Sequence, residues 1–65
     1  MQTLPAPALR PFYVRLFSER HVEFADLFLH AIDEAQASRM AMNDRNFEDQ
    51  SGAWEVIAVA CTENL

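Results

Sequence analysis

The sequence predicts a small α+β domain: a three-stranded antiparallel-type sheet with one helix, in the order ββαβ. Residues 12–17 (FYVRLF) and 54–61 (WEVIAVAC) are aromatic and β-branched, as strands are. Between them, Asp33-Glu34-Ala35-Gln36 matches a capping box, a cap carboxylate followed three residues later by Gln. A helix starting at Asp33 leaves residues 22–31 to form a second strand.

Residues 1–11 read as an extended arm. Pro5, Pro7 and Pro11 fix φ, bias their predecessors toward extended conformations and lack the donors a central strand needs. The first strand, 12–17, puts Phe12, Val14 and Leu16 on one face and Tyr13, Arg15 and Phe17 on the other. Two aromatics on the second face imply that it is partly covered. Ser18-Glu19-Arg20-His21 is a polar break.

Residues 22–31 (VEFADLFLHA) fit two templates. As a strand, Ala25, Leu27, Leu29 and Ala31 form an apolar face, with Val22, Phe24, Asp26, Phe28 and His30 opposite. As a helix, Glu23, Asp26, His30, Asp33 and Glu34 share a narrow polar arc. By pattern alone the helix is the neater account. It would give a β-α-β alternative with one long helix over residues 19–43, about 25 residues and long for a globular helix. The capping signal at Asp33 favours the hairpin.

Residues 35–43 (AQASRMAMN) then form a short helix of good formers, ended by Asn43 and Asp44, with Met40 and Met42 toward the sheet. Residues 46–53 are a loop holding the one glycine, Gly52. In the last strand Trp54, Val56, Ala58 and Ala60 face one way, and Glu55, Ile57, Val59 and Cys61 the other. Apolar on both faces except at Glu55, it has the pattern of a central strand. Residues 62–65 are a short tail, so the domain proper is 12–61.

Sixty-five residues allow one domain and a small core. The single cysteine rules out an intramolecular disulfide or a cysteine-stapled zinc site, and fits a reducing cytoplasm. An apolar fraction of 51% is full for a globular chain and argues against disorder. A small core, a full apolar load and no staple point to self-association or a partner. A homodimer is expected, a second copy covering the sheet face opposite the helix.

Five arginines and no lysine face ten carboxylates, a net charge of −5. Direct nucleic-acid binding needs a basic stripe and is disfavoured; a basic protein surface is the favoured partner. No apolar stretch approaches the roughly 20 residues of a membrane span.

Catalysis is not expected. Cys61 closes an apolar strand, where a small hydrophobe belongs, and has no evident activating cation. His21 with Glu23, or His30 with Asp33 and Glu34, have suitable donor types for a metal but match no ligand string. The adjacent pairs Asp33-Glu34 and Glu48-Asp49 do not face one another across a cleft, as acid/base pairs must. One glycine excludes a glycine-rich phosphate loop. Trp54, Tyr13 and the phenylalanines could stack bases, but without a positive groove core packing is their expected role. No cofactor, metal or catalytic residue is assigned.

The remaining candidates are surface carboxylates. Glu19, Glu23, Asp44, Glu48, Asp49, Glu55 and Glu63 could imitate a phosphate array or dock on a basic patch that normally holds nucleic acid. Ordinary solvation is the better account of any one of them taken alone, since a charge of this size keeps small domains soluble.

The succession of FYVRLF, a turn, a strand leading into DEAQASRMA, and WEVIAV resembles the very small acidic proteins of phages and other mobile elements, among them anti-CRISPRs. The likeness is one of architecture and size and covers most of residues 12–61; it transfers no functional residue. It implies a non-enzymatic inhibitor acting in a bacterial cytoplasm, blocking a Cas effector by occupying a nucleic-acid or nuclease-recruitment surface. A homodimeric structural or regulatory module of a mobile element is the alternative.

Overall fold

The computed structural model describes residues 8–48 and 53–63. Four elements follow in order: β1 (Arg10–Ser18), β2 (Glu23–Ala31), α1 (Glu34–Glu48) and β3 (Trp54–Cys61). They form the expected three-stranded antiparallel sheet with one helix, in strand order β2-β1-β3. Residues 23–31 are a strand, so the long-helix alternative over 19–43 is corrected.

β1 is the central strand, antiparallel to both neighbours. β2 and β3 therefore run parallel on either side of it. Parallel strands need a long crossover, and α1 supplies it. The expectation that the last strand is central is thus corrected: β3 is an edge. β1 begins at Arg10 and includes Pro11. The Pro11 carbonyl accepts the Thr62 N–H at 3.0 Å. Its ring nitrogen has no proton to return, so pairing with β3 stops at that rung.

The register places Phe12, Val14, Leu16 and Ser18 of β1 on the helix side. Leu29, Leu27, Ala25 and Glu23 of β2 lie beside them on that face. On β3, Ser18 and Leu16 pair with Trp54 and Val56, but Val14 and Phe12 pair with Val59 and Cys61. Ile57 is the extra residue of a β-bulge, which switches the facing of everything after it. The expected set Trp54, Val56, Ala58 and Ala60 is therefore split. Trp54, Val56, Val59 and Cys61 lie on the helix face, and Glu55, Ala58 and Ala60 on the open face.

The core is Phe12, Val14, Leu16, Ala25, Ala31, Ala37, Ala41 and Trp54, with Leu27, Leu29, Val56 and Val59 packed around it. The helix contributes its alanines: Ala37 and Ala41, one turn apart, are fully buried, whereas Met40 and Met42 are exposed. This corrects the expected methionine contact. Small residues at i and i+4 let the helix axis approach the sheet closely, and the longer side chains splay to the flanks.

The Asp33 cap forms as the sequence indicates, and Gln36 reaches one residue further back than in a standard capping box. Asp33 Oδ1 accepts the Gln36 backbone N–H at 2.8 Å, and Gln36 Oε1 reaches back to the Ile32 N–H at 2.8 Å. The helix runs five residues beyond the expected end at Asn43. Its last turns are held from outside: the Arg45 guanidinium lies 5.5 Å from the Trp54 ring centroid, and Asn46 Oδ1 accepts the Trp54 backbone N–H at 3.3 Å. Asn46 is helical rather than in a loop. Gly52 and the rest of 49–52 lie outside the described residues, as do 1–7 of the expected arm and 64–65 of the tail.

Candidate functional site

Two surfaces stand out, one at the end of the sheet and one on its open face. The β1–β2 turn, the start of β3 and the end of α1 all lie at one end of the molecule. Ser18 pairs with both Glu23 and Trp54, and Trp54 is tied to Asn46 of the helix. This hairpin end gathers carboxylates that are scattered in sequence. Glu19 is exposed in the turn, Glu23 is exposed at the start of β2, and Glu55 is exposed on β3 opposite Phe17. Glu48 is the last residue of α1, and Asp49 lies outside the described residues. Arg20 and His21 share the turn.

Asp44 is set apart, an exposed residue about one helical turn before Glu48. With Leu27, Phe28, Leu29 and Met40 it lines an open groove of about 270 Å³ between the helix and β2. Glu63 lies at the opposite end, 3.7 Å from Arg10.

The turn also exposes an unexpected feature. Val22 has φ 52°, the left-handed region, and its side chain is 76% exposed. That conformation costs a non-glycine residue about 1–2 kcal/mol, and β-branching makes it less suited still. The four residues between Ser18 and Glu23 close the hairpin, and a left-handed residue is needed where the chain enters β2. Ser18, fully buried, supports the turn by accepting the His21 N–H on Oγ at 3.3 Å. The result is an exposed apolar residue in a turn whose flanking residues include Glu19 and Glu23.

The second surface is the sheet face away from the helix, on which no described element packs. Tyr13, Arg15 and Phe17 of β1 stand beside Phe28, Asp26 and Phe24 of β2, with Ala60, Ala58 and Glu55 of β3 on the other side. The Tyr13–Phe28 and Phe17–Phe24 ring centroids are 5.3 and 5.0 Å apart. Asp26 sits between these pairs, accepting the Tyr13 hydroxyl at 2.8 Å and lying 3.4 Å from Arg15 Nε. The Arg15 guanidinium covers the Phe24 ring at 4.3 Å. Phe28 is 76% and Phe24 56% exposed. Core packing was the expected role of the strand aromatics; it holds for Phe12 and Trp54 and not for these two. The edge position of β2, invisible in a single segment, leaves them bare.

Groups considered for catalysis do not converge. Cys61 is exposed rather than packed, with Sγ 3.9 Å from Glu63 Oε2. It lies on the helix face of the sheet, whereas His30 lies on the open face and His21 at the far end of β2. Among the described residues no three His, Cys, Asp or Glu gather as metal ligands would. No helix among the described residues is long and apolar enough to cross a membrane.

Comparison with protein-family models, curated proteins and solved structures returns no match.

Proposed function

We propose that this chain is a non-enzymatic inhibitor that docks its hairpin end on a basic protein surface, one that normally holds nucleic acid, as on a Cas effector. The observation that carries the reading is that exposed Glu19, Glu23 and Glu55 all stand at the end of the sheet where exposed Val22 closes the β1–β2 turn, Glu23 toward the helix side and Glu55 on the open face. An exposed apolar side chain beside carboxylates offers a basic partner both an apolar contact and charge pairing. The carboxylates steer the encounter and the anchor slows dissociation. The net charge of −5 adds long-range attraction to a cationic groove. Such a target places the chain in a bacterial cytoplasm, with which a lone cysteine is compatible.

The test is inhibition of target-DNA binding by a panel of guide-loaded Cas effectors, followed by mobility shift at low and high salt. The reading expects the chain to block DNA binding by at least one effector, with inhibition falling steeply as salt rises. No inhibition across the panel, or inhibition indifferent to salt, contradicts it.

A further inference from the structure

We infer that the open sheet face binds a second copy of this chain, through a two-fold axis lying in the interface and running along β1. The face is unequal from side to side. β2 raises a ridge, Phe24 and Phe28, both largely exposed. β3 carries only methyl groups at Ala58 and Ala60, leaving a trough beside β1. An axis along β1 sets the β2 of each copy over the β3 of the other, ridge into trough on both sides at once. An axis across the strands would instead set ridge on ridge.

Register fixes the contacts. Phe28 and Ala60 both pair with Tyr13, so they stand at one level, and Phe28 of each copy meets Ala60 of the other. Phe24 and Glu55 both pair with Phe17 and stand at another level. Arg15, leaning over Phe24 at 4.3 Å, is thereby brought to Glu55 of the second copy. Aligned sheets cross at about 30°, which the axis bisects. The face carries both signs, Arg15 beside Asp26 and Glu55, so opposite charges can meet between the copies.

Three strands about 4.8 Å apart, eight residues long at about 3.3 Å each, give a face of about 380 Å² per copy. That total of about 760 Å² is below the usual range for a stable interface, so the dimer is weak and concentration-dependent.

The experiment is sedimentation equilibrium from micromolar to millimolar chain, with circular dichroism to check each variant's fold. The wild type moves from the single-chain 7.4 kDa toward twice that mass. Phe28→Ala and Ala60→Phe each weaken dimerisation about tenfold or more, and the double variant recovers to within a few-fold of wild type, because ridge and trough trade places at one contact. A wild type that stays at 7.4 kDa throughout overturns the inference. So does a dimer indifferent to both single changes, or a double variant no better than the two losses combined. Phe28 and Ala60 lie away from the hairpin tip, and neither change touches Glu55, the one residue that both surfaces use, so this test and the inhibition test fail separately.

Discussion

The Tyr13 hydroxyl donates to Asp26 Oδ1 at 2.8 Å diagonally across the β1–β2 pair, two residues along from its direct partner Phe28. The bond ties the open face together at its centre and makes Tyr13 a reporter of it.

Tyr13 is the chain's one tyrosine, so its ionisation can be followed by tyrosinate absorbance alone. The hydrogen bond to Asp26 comes first among the causes that raise its pKa, with partial desolvation and the Asp26 charge adding to it and Arg15 opposing. The folded value therefore exceeds the unfolded value of about 10. The contribution to stability is fully present below about pH 10 and is lost as pH rises through the folded value. Asp26→Asn should shift the absorbance titration to lower pH. An unchanged midpoint would mean that the bond does not persist in solution.

Val22 is strained and exposed, so its replacement should stabilise. Val22→Asn places a residue tolerant of the left-handed region there and should gain about 1 kcal/mol. For a domain of this size that raises Tm by about 4–8 °C. A lower Tm would show that Val22 packs in a way its exposure does not suggest. If the tip is the docking anchor, the same variant inhibits less while folding better.

Asp33→Ala removes the acceptor for the Gln36 N–H and should cost about 1 kcal/mol in chemical denaturation. Asp33→Asn should cost much less, since asparagine caps equally well. Equal losses from the two changes would point to the charge rather than the bond.

Trp54 is buried, yet its Nε1–H finds no acceptor among the described residues. Trp54→Phe removes an unsatisfied donor worth about 1–3 kcal/mol, which offsets the smaller ring. It should change stability by less than about 1 kcal/mol. Trp54→Ala should cost about 3–5 kcal/mol, about a third or more of the roughly 3–10 kcal/mol available to 65 residues. Urea denaturation separates the two outcomes.

Local chemistry explains what could be read from the sequence. The Asp33–Gln36 pair is self-contained, so it marks the helix start and leaves residues 23–31 outside the helix, where pairing with β1 makes them a strand despite their helical periodicity. The bulge at Ile57 has no local marker: no glycine stands there, and the extra residue exists only relative to β1. The helix end was hidden for a similar reason. Asn43 and Asp44 are poor helix formers, but Arg45 and Asn46 engage Trp54 across the chain and hold the helix open beyond them. Of the surface carboxylates, residue type singled out Glu19, Glu23 and Glu55, but only strand order brings them to one end. Val22 was missed because nothing about valine announces a left-handed turn position.

Reversing the hairpin end tests the docking proposal most directly. The variant Glu19→Lys, Glu23→Lys, Glu55→Lys is assayed for inhibition of an effector that the wild type blocks, with circular dichroism to confirm the fold. The account predicts at least a tenfold loss of inhibition at unchanged secondary structure. Inhibition equal to that of the wild type would contradict it.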